Sequence, residues 1–345
     1  VGLERREGHG CRHRLHGAPA GRRRTGVPAV RRRAARAGLL GALLVCAGLS
    51  PEAVAQGFAA RTLSSLAASE LAFPRADSNV PFTPVAQFSA RVYSESEVLA
   101  PDGAALGTFQ QEDLSVAGLL PFVPGRRDLF VGGAYVASRR FSGDQRGTEA
   151  FRLNTVGLPL AWLRQVNPQW QAAAMVVPMW HVSNAADTEN AAQLLGGAFL
   201  RYQHDDRLWW AFGLFGDRND LNSYLMPYVG ASWIINPRWT LSAVMPWPSV
   251  IYAPSEVWFF SLGAAPSGSS WTQRADGGEV AVSLDTWDFG LSAERRLWGH
   301  VWLGARAGIG GLRGLRFGTK DASLRGAEFD VESGAFFSVS LKLRP

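Results

Sequence analysis

His181 and Ser183 are the two residues of this chain whose types and spacing fit nucleophilic chemistry. In an extended strand, residues i and i+2 point the same way with Cβ atoms about 6–7 Å apart, so an imidazole can take the proton of the neighbouring hydroxyl. A third group must orient the imidazole, and Glu189 or Asp187 in the adjoining polar stretch are the local candidates. The pattern would suit ester hydrolysis.

The same residues also fit an ordinary strand end, which is the interpretation we favour. Strand ends are rich in His, Ser and Asn. His181 falls on the strand face opposite Trp170 and Trp180, which is the lumen face in the barrel predicted below and points away from lipid. The string His181-Val-Ser-Asn184 resembles the H-x-S-N motif of outer-membrane phospholipase and lipid A deacylase barrels. That resemblance implies an acyl esterase, which we keep as the alternative.

Other motifs for catalysis or cofactor binding are absent from the sequence. It contains no phosphate loop, dinucleotide fingerprint or G-x-S-x-G elbow. Residues 217–222 are rich in oxygen ligands but lack the closing Glu of an EF-hand, and a solvated loop is the simpler interpretation. Cys11 and Cys46 both precede the predicted cleavage site described below, so no thiolate site is expected. We predict no metal and no cofactor.

The basic charge of the chain is concentrated at its front. Residues 1–55 hold 11 Arg and three acidic residues, whereas the remainder carries 24 basic and 26 acidic groups. Nucleic-acid binding therefore cannot be inferred from the net charge of +6. Arginines at 31–33 and 36, an apolar run over 37–49 and Ala53-Val-Ala55 predict a secretory signal cleaved before Gln56 and Sec export.

Alternation with period two dominates the rest of the chain and predicts long β-strands. In the segment 169–183, Trp170 and Trp180 share one face ten residues apart, about 25 Å along a membrane normal for a strand tilted by about 40°. That is the spacing of the two aromatic girdles of an outer-membrane barrel. The predicted lipid-interface girdle consists of Trp170, Trp180, Trp239 and Trp247.

The segments predict an antiparallel transmembrane β-barrel. Thirteen of them follow residue 85, including one over 238–252, and because an even number is expected we predict about 12 strands (range 10–14). The weak opening and the Pro-rich region 246–256 are the expected sources of miscounting. An antiparallel β-sandwich explains the alternation but not the strand length. The predicted organisation is an upstream extension plus signal peptide over 1–55, a periplasmic lead-in over 56–84 and the barrel over 85–345.

Charged residues fall on one face of the predicted strands, which we assign to the lumen. Their mixed signs suit salt-bridged filling better than one selective ring. The predicted lumen residues are Arg91, Arg152, Arg164, Arg201, Arg296, Arg306, Arg316, Asp113, Asp288 and Glu294.

The run from Tyr228 to Tyr252, with its Asn236-Pro turn and its Pro246-x-Pro element, resembles a family of bacterial outer-membrane β-barrels described as a domain of unknown function. The resemblance implies fold and location in the outer membrane of a Gram-negative bacterium, and no activity. We expect a non-enzymatic barrel, either structural or a narrow passive pore. The expected partners are outer-membrane lipids and the assembly machinery, although the chain ends Leu343-Arg-Pro345 instead of in an aromatic. No nucleic acid is expected, and no protein partner is inferable.

Overall fold

The computed structural model describes residues 64–66, 68–73, 77–143, 150–184, 191–219, 223–244, 247–275, 278–318 and 328–345. No helix within these ranges is long and apolar enough to cross a bilayer. The strand segments are β1 (Ala86–Tyr93), β2 (Ser96–Leu99), β3 (Ala105–Phe122), β4 (Asp128–Ser142), β5 (Phe151–Gly157), β6 (Leu160–Gln165), β7 (Trp170–Ser183), β8 (Ala191–Gln203), β9 (Leu208–Arg218), β10 (Ser223–Asn236), β11 (Trp239–Ser242), β12 (Ser249–Ser255), β13 (Trp258–Pro266), β14 (Ser269–Ala275), β15 (Gly278–Trp298), β16 (Val301–Gly318), β17 (Glu328–Val331) and β18 (Gly334–Leu343).

Side-chain alternation gives the sheet an apolar outer face and a polar inner face. In β3, Leu114 and Val116 are 48% and 53% exposed, whereas Gln111 on the other face is 1% exposed. Exposed aliphatic side chains opposite buried polar ones are the reverse of a soluble sheet. A lipid-facing surface around a polar lumen requires this arrangement.

The first strand of the sheet pairs with the last, so the sheet closes on itself. β1 pairs with β18 from Ala86 opposite Leu343 to Tyr93 opposite Phe336, and neighbouring strands are antiparallel throughout the described sheet. The segment pairs β1–β2, β5–β6, β13–β14 and β17–β18 each form one interrupted strand. The described residues therefore form a closed antiparallel barrel of 14 strands.

The predicted all-β barrel is confirmed, with a strand count at the upper limit of the predicted range. The structure has one strand more than the thirteen predicted segments, and this strand arises in the Pro-rich region. The segment 238–252, expected to be one strand, contains β11, a turn and the start of β12, and Trp247 N–H donates to Val244 O at 2.8 Å within that turn.

Short Asx turns join the strands at one end of the barrel. Asn236 Oδ1 accepts hydrogen bonds from the backbone N–H groups of Arg238 and Trp239 at 2.9 and 3.0 Å, and Asp205 binds two backbone N–H groups in the same way. The longer loops predicted for the other end lie largely outside the described residues. Because bacterial barrels keep their tight turns on the periplasmic side, we orient the short-turn end toward the periplasm.

Candidate functional site

An ion-paired cluster lies on the inner surface near mid-barrel. Arg91 Nη1 is 2.6 Å from Asp288 Oδ2, and the Tyr93 hydroxyl donates to the same oxygen at 2.8 Å. Arg306 Nη2 donates to the backbone oxygen of Asp288 at 3.1 Å, and Arg91 and Arg306 both lie about 5.5 Å from the Phe336 ring centroid. β1 and β15 are separated in the sheet by β16 and β18, so the Arg91–Asp288 pair bridges the inner surface instead of linking neighbouring strands.

A second ionic group lies nearer the periplasmic end. Glu294 accepts hydrogen bonds from Lys342 Nζ at 2.5 Å and from Arg344 Nη2 at 2.8 Å, and Arg344 also donates to the backbone oxygen of Phe82. Two cations thus face one carboxylate. This group therefore contains charges of both signs, as does the cluster around Asp288.

Of the ten predicted lumen residues, seven lie on the inner side of the barrel and two face outward. Arg91, Asp113, Asp288, Glu294 and Arg306 belong to inward networks, Arg201 lines an inner cavity, and Arg296 lines a cavity at the periplasmic end. The side chain of Arg316 lies outside the described residues.

Arg152 faces outward, which corrects its predicted lumen position. It lies between Phe151 and Leu153, which both pack inward, so strict alternation turns Arg152 to the outer face with Val156. Arg164 is likewise outward and pairs with Asp128 at 3.5 Å. Both arginines are near strand ends, where a long side chain reaches water from the lipid face.

Three of the four predicted girdle tryptophans face outward. Trp170 packs on Tyr202 with ring centroids 4.9 Å apart, Trp239 packs on Tyr252 at 4.6 Å, and Trp180 is 44% exposed. Trp247 differs from its predicted position, because it lines two cavities inside the barrel. It belongs to the turn between β11 and β12, where the alternation of a strand does not apply.

Aromatic and aliphatic side chains close the outer end of the lumen. Phe141, Phe151 and Trp271 have ring centroids 4.9–5.5 Å apart, and Leu153 and Val282 pack with them fully buried. These side chains come from β4, β5, β14 and β15, which do not form one continuous stretch of wall. The hairpin of β14 and β15 leans over the lumen, and Arg139 Nη1 of β4 donates to Gly268 O at 3.1 Å. We call this group the outer closure.

The segment before β1 covers the periplasmic end. We call residues 68–73 and 77–85 the periplasmic cover. Ala72 N–H donates to Gln165 Oε1 at 2.9 Å, Gln171 Nε2 donates to Ala72 O at 2.7 Å, and Asn79 Nδ2 donates to Ala253 O at 3.0 Å. The cover therefore reaches from β6 and β7 to β12, part of the stretch that we predicted to be a periplasmic lead-in.

Three of the cavities in the described part of the barrel lie between the two closures. A polar cavity of about 280 Å³ is lined by serines and by Arg306. An apolar chamber of about 250 Å³ is lined by Met175, Phe199 and Phe215, and a third cavity of about 360 Å³ lies against the cover. Neighbouring cavities share lining residues: Trp247 borders the first two, and Arg201 borders the second and third.

His181 faces inward but its ring nitrogens are occupied. Gln193 Nε2 donates to Asp217 Oδ2 at 2.8 Å, so Gln193 turns its oxygen to His181 Nε2, 3.0 Å away, and that nitrogen carries the proton. Nδ1 then accepts the Thr155 hydroxyl at 2.8 Å. No basic nitrogen is left for Ser183, and Glu189 lies outside the described residues. In the described part of the chain, no three potential metal ligands converge.

The outward aliphatic belt and flanking aromatic rings place the barrel in a bilayer, and a closed barrel with tight turns at one end is the outer-membrane type. The model of a family described as a domain of unknown function (DUF6268) matches residues 131–344. The chain belongs to this family. The DUF6268 match includes the Asn-Pro turn and the Pro-x-Pro element that carried the resemblance in the sequence.

Solved outer-membrane barrels are similar to this DUF6268 chain at low identity. The COG4313 outer membrane channel from Pseudomonas putida F1 is 11% identical with a TM-score of 0.41, covering 75% of this chain and 96% of its own. A FadL homologue from Pseudomonas aeruginosa is 12% identical with a TM-score of 0.39, covering 80% and 97%. The translocator domain of the autotransporter NalP from Neisseria meningitidis is 10% identical with a TM-score of 0.30, covering 86% and 98%. No curated protein sequence matches significantly.

Proposed function

We propose that this outer-membrane barrel is a non-enzymatic, narrow passive pore that is closed at rest. The observation that carries the proposal is the series of adjoining cavities between the closures. Trp247 lines the first and second of these cavities, and Arg201 lines the second and third. A purely structural barrel of this size can fill its interior with side chains. A passage instead needs connected space between removable closures.

The two closures differ in chemistry. The periplasmic cover is held by hydrogen bonds to Gln165 and Gln171 and by exposed ion pairs of Glu70 with Arg126 and Arg127. Exposed polar contacts of this kind exchange readily with water. The outer closure is an aromatic cluster joined to a hairpin, and it opens only if the hairpin of β14 and β15 moves.

Conductance in planar bilayers tests the pore. One variant lacks residues 64–81, a second has residues 270–283 replaced by an Asn-Gly turn, and a third combines both changes. We expect sustained conductance from the combined variant only, since each single variant retains one closure. A silent combined variant that still shows the heat-modifiable migration of a folded barrel would favour a structural role.

We further infer Sec export from residues 31–55, and insertion by the outer-membrane assembly machinery into outer-membrane lipid. Fractionation with antibody against residues 85–345 tests the route. A mature species that begins at Gln56 and sediments with the outer membrane is the expected result. A soluble periplasmic species of the same length would contradict it.

A further inference from the structure

The barrel wall has a gap in its outer half. β10 pairs with β9 from Ser223 to Trp233, but among the described residues its other edge is bonded to the next strand only from Ala231 onward. Across the gap, β13 pairs with β12 only as far as Gly263, with one more bond from Ala264 N–H to Pro248 O. Among the described residues, no strand lies between 223–229 and 265–275. We call this gap the notch.

The short hairpin of β11 and β12 creates the notch. β11 has four residues and β12 has seven, and the hairpin turns between Val244 and Trp247, below the outer ends of its neighbours. A strand that crosses the hydrocarbon region needs about 9–11 residues. Only two residues lie between Val244 and Trp247, too few to extend the hairpin to the outer rim.

Two prolines mark the edges of the notch. Ala231 exchanges hydrogen bonds with Ala243, so by alternation the N–H at position 227 would point to the same side, where Pro227 has none. Ala264 N–H points to β12, so the N–H at position 266 would also point there, and Pro266 has none. A proline in a strand is tolerated where its missing N–H faces no partner. Both prolines therefore fit unpaired edges.

Exposure of β10 changes at the notch. At the lower end of the notch the inward Tyr228 is 9% exposed, and below the notch the outward Trp233 is 48% exposed. At the notch, Leu225 and Met226 are 69% and 48% exposed although they lie on opposite faces. Met226 shares the inward face with Tyr228, which lines the apolar chamber. The notch therefore opens the inner face of β10 toward the surroundings of the barrel.

The apolar chamber contains one uncompensated cation. Arg201 Nη1 donates to Gln171 Oε1 at 2.8 Å, and the guanidinium lies 4.7 Å from the Trp209 ring centroid. Its Nε is buried without a hydrogen-bond partner. Within the described ranges, Arg201 forms no ion pair. A buried cation without a counterion is costly, and a carboxylate is the ligand that best satisfies a guanidinium.

We propose that the notch admits a monocarboxylate with an apolar body from the outer leaflet into the apolar chamber. The body contacts Met175, Phe199 and Phe215, and the carboxylate binds Arg201. Trp247, at the base of the notch, is the wall between this route and the polar cavity. Release toward the periplasm rests on the proposed pore, whereas lipid access and binding do not.

Photocrosslinking tests the route from lipid. Benzoylphenylalanine replaces Met226 in barrels reconstituted in phosphatidylethanolamine vesicles. The outward Leu214 is the positive control, and the inward Ser115, which bonds Ser89 on a fully paired stretch, is the negative control. We expect lipid adducts at positions 226 and 214 and none at 115. A position 226 that behaves like 115 would overturn the route.

Equilibrium dialysis of labelled decanoate against barrels in nanodiscs tests the head-group assignment. We expect Arg201→Gln to weaken decanoate binding at least tenfold and to leave decanol binding within twofold. Arg164→Gln, which removes an outward ion-paired arginine, should change neither ligand. Equal decanoate binding by wild type and Arg201→Gln would overturn the assignment. These results do not depend on conductance, so failure here and failure of the proposed pore are distinguishable.

Discussion

Pro227 and Pro266 stand on the two edges of the notch, each at a position whose backbone N–H would have pointed into the gap. In hydrocarbon, an unpaired N–H costs free energy that water cannot recover. The two prolines remove one such donor from each edge. The residue types at both edges of the notch are therefore those that tolerate an unpaired strand edge.

Replacing a proline inside a strand usually stabilises the sheet, but we expect replacement of Pro227 to lower the free energy of unfolding. Pro227→Ala adds an N–H without a partner, and we expect a loss of roughly 1–3 kcal/mol in the free energy of unfolding. Pro178→Ala is the matched control, because Pro178 O accepts from Leu158 N–H and a new N–H there can bond Leu158 O. Urea unfolding in lipid vesicles measures both. Equal stability of the two variants would mean that a partner strand fills the notch.

The Arg91–Asp288 pair should be the most sensitive point of the inner network. Asp288→Asn leaves Arg91 without the buried carboxylate with which it pairs, so we expect a loss of about 3–5 kcal/mol. Glu112→Gln is the control, since Glu112 and Arg140 are both about half exposed at a separation of 4.0 Å. That variant should change stability by less than about 0.5 kcal/mol. A similar loss in both variants would show that the Arg91–Asp288 pair contributes no more stability than the exposed pair.

Attachment of the periplasmic cover should depend on pH. The hydrogen bond from Arg127 Nε, at 2.6 Å, lowers the pKa of Glu70 below its usual value of 4.5. Because this pKa is lower in the folded state than in the unfolded state, the contribution of the Glu70 ion pairs to the attachment is complete above about pH 4.5 and is lost as the pH falls through the lowered pKa. A nitroxide at Ser78 should therefore gain mobility in acid.

The pH profile has two matched variants. Glu70→Gln should make the mobility at Ser78 independent of pH. Asp205→Asn should leave the profile unchanged, although the backbone N–H groups of Arg207 and Leu208 also lower the pKa of Asp205, because no hydrogen bond or ion pair among the described residues joins that turn to the cover. An unchanged profile in Glu70→Gln would assign the pH dependence to another group.

Arginine substitutions along β7 should rank by depth in the membrane. Trp170, Ala174 and Trp180 share the outward face, and Arg at mid-strand position 174 should cost about 2–4 kcal/mol against about 0–1 at the two interfacial positions. Heat-modifiable migration of each variant after assembly in cells is the measurement. Similar assembly of all three would show that this face does not contact lipid.

Ser183→Ala should leave lipid turnover unchanged. His181 Nδ1 already accepts from Thr155, so the histidine has no free basic nitrogen for Ser183. The measurement is the release of fatty acid from phospholipid and lipid A micelles by the wild type and by Ser183→Ala, with and without Ca²⁺. If the wild type releases fatty acid and Ser183→Ala does not, the alternative of a lipid hydrolase would be supported.

The sequence predicts best where lipid and lumen demand different residue types. The period-two pattern of β7 places Trp180 outward and His181 inward, as the structure has them. It fails for Arg152, because a charge at a strand end reaches water from either face. The Pro-rich turn at Trp247 was visible in the sequence, but its consequence for the wall was not.

Contacts between distant strands could not be predicted from local pattern. Arg91 and Asp288 are 197 residues apart, and the stagger of the barrel strands, which no short motif specifies, brings them together. The same holds for the outer closure, in which Trp271 meets Phe141. Each residue was recognisable by type, while its partner was not.

The pairing of β1 with β18 sets an order of events during biogenesis. β1 (Ala86–Tyr93) can pair with one of its two neighbours only after that neighbour, β18 (Gly334–Leu343), has been synthesised. Until then the unpaired edge of β1 is exposed, and something other than the finished barrel must protect it from pairing with other chains and aggregating. The slowest step of folding is therefore expected to be the pairing of β1 with β18, which occurs late although β1 is made early.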